Sequence, residues 1–350
     1  MSQHTHAEEG SSQHAAREAN ADLVALVGQL AGRKVLVIAD LIVDEFVTTS
    51  EPRVSREAPV LILKYRDRRF VAGGGANAAA NVAALGGIPL VLGEVGDDAA
   101  GAKLIESLAT AGANTSGIFT RRGSRTPRKT RFLAGDKHVA LQQVVRVDRI
   151  EPLEHDAAFR EEVRAVAGPL LAEADAILVS DYGLGFAEPA LVRQILALGR
   201  KPGARVAVDS RYRLFEHVGA DVATPSEPEI EAVLGRPLSD EASIEAGGRQ
   251  ALERLGARAL ILTRGSQGML VMEDGRPTRA VAAFGNGSVA DVTGAGDTVI
   301  ATLSLALAVG ADWHLAARLA NAAAGIAVTR MGTATVSPAE LLAALDRLPA

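Results

Sequence analysis

Residues 294–297 read Gly-Ala-Gly-Asp, and a long apolar run at helical spacing follows them, "TVIATLSLALAVG". Glycine bares the backbone, and the first turn of a helix leaves several N–H groups without acceptors. Gly294, Ala295 and Gly296 therefore form a turn suited to an anion. Asp297 beside that turn would repel a bound anion. It has a use if the anion is a phosphoryl group in transfer and the carboxylate takes the proton from the attacking hydroxyl. A helix start with one acidic residue is common, but a plain cap needs only one permissive residue and two glycines flank Ala295. No Gly-Lys-Ser/Thr follows, which excludes a nucleotide P-loop.

The elements that must position this turn are legible in outline. "KVLVIAD" is a buried first strand, and the Gly-rich "AGGGANAAANVAALGG" reads as a loop entering a small-residue helix. From about residue 156, the strands "AILVSD", "RVAVDS", "DVATP", "ALILTRG" and "GMLVMED" are mostly separated by helices, and the last part from Gly294 is almost all helix. Such alternation predicts an α/β fold with a mostly parallel sheet covered on both faces. Two stretches break the rhythm, at about 42–65 and 117–147, and predict a small separate β-sheet acting as a lid over a cleft.

Bulk composition narrows the class. The chain has 350 residues, net charge −5, 48% hydrophobic residues and no cysteine. Disulfides and thiolate chemistry are excluded. A general nucleic-acid binder would be basic, and there is no apolar run of roughly 18 residues to span a membrane. Residues 1–30 read as a disordered polar tail and lead-in without a signal-peptide core, and residues 31–350 as one domain. His4, His6 and His14 in that tail fix no coordination geometry. The expected location is the cytoplasm.

"DVTGAGDT" resembles the motif of the ribokinase-like sugar kinases, the phosphofructokinase-B superfamily. The resemblance implies an ATP- and Mg²⁺-dependent kinase in which the backbone of Gly294, Ala295 and Gly296 is the anion hole and Asp297 the base. It also implies that Gly73, Gly74 and Asn77, at the family's Gly-Gly-x-x-x-Asn spacing, lie against the sugar, with Asp44 gripping its hydroxyls. Read from the residues alone, the glycines are a flexible loop and Asp44 an exposed lid carboxylate. Thr263, Gly265 and Gly268 match the family's turn along the nucleotide, which is equally a β-turn between neighbouring strands, and Asn321 falls in the same cofactor set. Glu229 matches the glutamate that acts on Mg²⁺ through water. Ser226 stands where relatives carry asparagine, and a hydroxyl lacks the two-sided bonding of an amide.

Further stretches, "VSREAPVLILKY", "TPRKTRFLAG", "LQQVVRVD", "SDYGLGF" and "DSRYRL", resemble the heptose 7-phosphate kinases over about residues 33–345. The substrate so implied is a phosphosugar, phosphorylated on its anomeric hydroxyl. Arg121, Arg122, Arg125, Arg128, Lys129 and Arg131 crowd the expected lid, and Arg128, Lys129 and Arg131 align with the branch as phosphate ligands; charged strand edges equally prevent unwanted pairing. Gln142 and Asp181 are the remaining expected substrate contacts, and Arg146 and Asp148 match the branch without a clear role. Leu184 replaces the branch's lysine, and Ala39 the usual glycine before Asp40. Exposed lid edges predict a homodimer through the lid. The competing readings are a ribokinase-like kinase for another sugar or nucleoside, and a catalytically weak sugar- or nucleotide-binding protein.

Overall fold

The structure is a computed structural model that describes residues 20–135, 141–285 and 289–347. The lead-in departs from expectation: residues 20–27 form helix α1, whose Leu23, Leu26 and Val27 are buried, with Leu30 just after it. The tail histidines lie outside the described residues.

β1 (Lys34–Ala39) is buried on both faces and lies mid-sheet, so its sequence is nearly all apolar. The large sheet has nine strands in the order β13-β12-β11-β10-β9-β8-β1-β4-β5. The pairings from β5 (Asn114–Arg121) across to β11 (Ala259–Thr263) are parallel. β12 (Met269–Glu273) and β13 (Arg279–Val281) add antiparallel strands at one edge. β4 (Ile88–Gly96) follows α2 (Gly75–Ala84), and β8 (Ala176–Asp181), β9 (Arg205–Ser210) and β10 (Val222–Ala223) complete the sheet. One core face is built on α1, α2, α8 (Ala295–Ala308) and α9 (Trp313–Ala327). Another packs α4 (Ala157–Glu173) and α5 (Pro189–Leu196) on the opposite side.

The second sheet has four strands, β3-β2-β6-β7, and is the lid. β2 (Leu41–Val54) starts one residue after β1 and pairs antiparallel with β3 (Leu61–Gly74) and parallel with β6 (Arg128–Gly135). β7 (Gln142–Arg149) closes the other edge. Two expectations are corrected. Residues 117–121 are not lid: they belong to β5 and pair with β4 in the core sheet. Gly73 and Gly74 are not a loop but the end of β3, which runs directly into α2. They are glycines because of close approach. A Cβ on Gly73 would sit 2.7 Å from the Asp44 carboxyl, and one on Gly75 would sit 2.2 Å from Ala39 Cβ. Ala39, itself an unexpected residue, is thus matched by Gly75.

Candidate active site

The site lies where α8 begins, beneath the lid. Gly294 caps α8 with φ +80°, a left-handed conformation that glycine adopts without penalty. The N–H of Ala295 is used up on Val292 O at 3.2 Å. Thus only part of the expected anion hole is free: Gly296 and Asp297, in the first helical turn, carry the N–H groups that have no helical acceptor.

Asp297 is 2% exposed. Burial pushes its pKa up to about 7, against the lowering effects of its two hydrogen-bond donors and of Lys129. Those donors reach it from opposite sides. Asn77 Nδ2, in the first turn of α2, donates to Oδ2 at 2.9 Å, and the Tyr182 hydroxyl donates to Oδ1 at 2.9 Å. Asn77 is held in turn by Asn81, whose Nδ2 donates to Asn77 O at 3.0 Å and to Asn77 Oδ1 at 3.2 Å. Thr298 donates to Asn81 Oδ1 at 3.3 Å, so a buried polar relay joins α2 to α8. Each carboxylate oxygen still has a lone pair for a substrate proton. A carboxylate with a pKa near neutrality, at an anion-binding helix start, is equipped as a general base.

On the lid, Asp44 is buried rather than exposed and is ion-paired with Arg131, which also lies over the Phe46 ring. Burial raises the Asp44 pKa even so. Arg131 is therefore committed to Asp44 and Arg128 to Glu45 at 3.4 Å, which leaves Lys129 as the candidate phosphate ligand of the three. Its Nζ sits 4.9 Å from the centre of the Tyr182 ring, it makes no salt bridge among the described residues, and burial lowers its pKa. Arg121 pairs with Glu94 beneath β5, and Arg122 and Arg125 are exposed in the turn after it, so these three are not lid residues. Gln142 is exposed at the start of β7, while Arg146 and Asp148 pair with each other.

Asp181 does not join the site. Its oxygens accept from Arg213, His217, Ser210 and the Gly183 N–H, and these partners hold its pKa down at about 2 despite burial. The expected sugar contact gives way to a buried ion pair. Leu184, where a lysine was expected, is buried, and its N–H donates to Asp40 Oδ2 at 2.9 Å.

A cavity of about 600 Å³ opens beside Asp297, within the range of small-molecule sites. Thr263, Gly265, Gly268 and Asn321 line it together with Ala295 and Gly296, so four of the expected cofactor residues meet the first turn of α8 in one space. Gly268 has φ +84°, and a Cβ there would strike Val281 O. Asn321 Nδ2 is anchored on Ala282 O at 2.7 Å. Ser226 and Glu229 do not line this cavity. They begin α6 (Glu227–Leu234), where Glu229 Oε2 accepts from the Ser226 N–H at 2.8 Å.

Reading the sequence missed two residues. Tyr182 lay inside a quoted stretch, but nothing marked its hydroxyl. Asp209, near the end of β9, faces the first turn of α8: a Cβ on Gly296 would lie 3.6 Å from its Oδ2. Burial and the charges of Glu229, Asp297 and Asp181 raise its pKa well above the usual carboxylate range. Among the described residues no three acidic or imidazole groups form a cage for a metal ion. The crowded Asp209 and Glu229 carboxylates fit instead a Mg²⁺ held by one or two protein carboxylates and substrate phosphates.

Comparison with known proteins places the chain in a family and a fold. The family model of the pfkB family carbohydrate kinases matches residues 33–340. The chain is 39% identical over 316 residues to the bifunctional protein HldE of Geobacter metallireducens, covering 89% of this chain and 62% of that protein. It is 36% identical over 320 residues to the HldE of Desulfatibacillum aliphaticivorans, covering 90% of this chain and 64% of that one. The chain thus spans less than two thirds of the length of these relatives. Arabidopsis thaliana ribokinase, solved with ribose and ATP, superposes with a TM-score of 0.68 at 22% identity, over 90% of this chain and 99% of that one. Escherichia coli phosphofructokinase-2 with substrates and products superposes with a TM-score of 0.71 at 20% identity, over 91% and 100%. The fold is therefore ribokinase-like, with the small second sheet as its lid. With its family motif on a buried aspartate at a helix start, the chain belongs to the pfkB family of carbohydrate kinases and is an ATP-dependent sugar kinase.

Proposed function

We propose that the protein transfers the γ-phosphoryl group of ATP to the anomeric hydroxyl of D-glycero-D-manno-heptose 7-phosphate, giving the 1,7-bisphosphate. The observation that carries this reading is the pair of groups facing each other beneath the lid. Asp297 is a buried base with a pKa of about 7 beside the nucleotide-sized cavity, and Lys129 is a lid cation without a carboxylate partner among the described residues. The named HldE relatives favour a heptose phosphate as acceptor.

Asp44, paired with Arg131, and Asn77 orient the sugar hydroxyls. Asp297 takes the proton of the anomeric hydroxyl as its oxygen bonds to the γ-phosphorus, and the bond between that phosphorus and the β–γ bridging oxygen breaks to release ADP. The free N–H groups of Gly296 and Asp297 stabilise the charge of the phosphoryl group in transit. Thr263, Gly265, Gly268 and Asn321 line the nucleotide space. Glu229, through water, and Asp209 would hold Mg²⁺, which neutralises phosphate charge when bound. Lid closure excludes water, the competing acceptor. Leu61 and Tyr65 on β3 and Val145 and Val147 on β7 are exposed apolar residues on the lid's edge strands, which favours a homodimer through the lid. No helix among the described residues is long and apolar enough to cross a membrane, and cytoplasmic action fits that.

The test is ADP release from Mg-ATP across a panel of phosphosugars and free sugars, beside Asp297→Asn. Turnover on heptose 7-phosphate that the variant abolishes is the expected result. Turnover on an unphosphorylated sugar alone would keep Asp297 and overturn the phosphate reading of Lys129.

A further inference from the structure

We infer that Tyr182 is a positioning residue that ties the lid to the catalytic base, its hydroxyl holding Asp297 and its ring carrying the lid cation Lys129. The inference rests on the kinase reading of Asp297. It concerns a residue that lies outside the Gly-Ala-Gly-Asp motif, in the loop between β8 and α5.

Tyr182 is fixed at three points. Its backbone N–H donates to Asp40 Oδ2 at 2.9 Å, and Asp40 is the single residue between β1 and the lid strand β2. Its hydroxyl donates to Asp297 Oδ1 at 2.9 Å. Its ring lies 4.9 Å from Lys129 Nζ, on lid strand β6. A half-buried cation over an aromatic face is a geometry of net attraction. Burial and the surrounding carboxylates push the Tyr182 pKa upward, so the group stays a phenol and keeps its proton to donate. A donor on one carboxylate oxygen fixes the plane of the carboxylate. With Asn77 on the other oxygen, the remaining lone pairs point one way.

The same contacts make the lid's position matter to the base. Lys129 reaches Tyr182 because the lid lies over the site, and Lys129 also acts electrostatically on Asp297. A lid displaced outward takes that cation from both. The charged and titratable groups facing Asp297 come from five elements: Asp44 on β2, Lys129 on β6, Tyr182 before α5, Asp209 on β9 and, beyond Asp209, Glu229 on α6. Of these, Tyr182 is the one that touches the base through a hydrogen bond and the lid through its ring.

The two halves separate by mutation. Tyr182→Phe keeps the ring and removes the hydroxyl, whereas Tyr182→Leu removes both. Each would be assayed for kcat and KM of the acceptor sugar across pH, beside wild type and Asp297→Asn. For Tyr182→Phe the expected result is kcat lowered roughly tenfold or more, as for loss of a hydrogen bond to a charged group. Its KM stays within about twofold and the acidic limb moves to higher pH. For Tyr182→Leu, KM should also rise roughly fivefold, as for loss of a cation–π contact. An unchanged kcat and pH limb in Tyr182→Phe overturns the hold on the base. Equal KM in the two variants overturns the link to the lid. A second measurement needs no acceptor: the ¹³C carboxyl titration of Asp297, assigned by its absence in Asp297→Asn. If wild type turns over no phosphosugar but Tyr182→Phe still moves this titration upward, the substrate reading fails and the hold on the base stands. An unmoved titration refutes that hold.

Discussion

Replacing Asp297 with asparagine should abolish turnover and, above neutral pH, make the protein more stable. The buried carboxyl has a pKa of about 7 in the folded chain, against 3.8 for an unperturbed aspartate. Between those values the unfolded chain has released the proton and the folded chain still holds it. Stability is then fully present below 3.8 and is lost as pH rises through about 7, at roughly 1.4 kcal/mol per pH unit. Asparagine carries no such proton. From about pH 5 to about pH 6.5 the variant should therefore gain roughly 2 kcal/mol on wild type, and the gain should level off above about pH 7. Asp44 and Asp209 also have raised pKa values, and because the charge of Asp297 helps to raise that of Asp209, the difference reports Asp297 together with its coupling to these neighbours. The hydrogen bonds from Asn77 and Tyr182 set a pH-independent offset, because an amide cannot accept from both in the same way. The assay is urea unfolding of both proteins at several pH values, followed by circular dichroism and by the fluorescence of Trp313, the one tryptophan of the chain. A stability difference that does not change with pH would refute the reasoning, since it would mean that Asp297 is ionised in the folded protein throughout. Wild-type kcat should rise over the same range in which wild-type stability falls.

Two other substitutions separate site from scaffold. Asp181→Asn should cost about 2 kcal/mol of stability above about pH 4, and the cost should shrink toward pH 2, because a carboxyl held at about 2 stabilises only while it is ionised. Its KM for sugar should stay unchanged, and a raised KM with unchanged stability would return Asp181 to the substrate site. Gly294→Ala puts a Cβ 2.5 Å from Asn77 Nδ2 on a residue with φ +80°. It should lower kcat roughly a hundredfold by pushing Asn77 off Asp297, with a cost in stability of about 1–2 kcal/mol; measured kcat and Tm check both.

The alternation of strands and helices identified the large sheet because parallel strands buried on both faces leave continuous apolar runs. The same rule misplaced residues 117–121. Their half-polar pattern belongs to β5, an edge strand of the core sheet, and an edge strand looks much like a lid strand in one dimension. The motif at residues 294–297 was legible because an anion-binding helix start needs local residue types. Tyr182 was not, because its partner is 115 residues away and the same hydroxyl elsewhere would have no role. The lid arginines show the converse. Their charge density was visible, yet whether a guanidinium is free depends on carboxylates such as Asp44 and Glu45, which reach it only when β2 pairs with β6.

Two of the lid's connections to the core leave no loop, while residues 122–127 carry the chain into β6 and residues 150–156 out of β7. β1 passes into β2 through Asp40 alone, and β3 passes into α2 without a break. Asp40 is clamped by the N–H groups of Tyr182, Leu184 and Ala187, so the root of this two-stranded ribbon is a fixed fulcrum. The irregularities in the ladder lie further out, at Thr48/Thr49 and Ser50/Arg53. Asp44 and Lys129 face each other in the β2–β6 ladder, so both stand on the regular length between the Asp40 clamp and these irregularities. Any shift of Asp40 is therefore shared by the Tyr182 backbone and by the lid strand that carries Asp44.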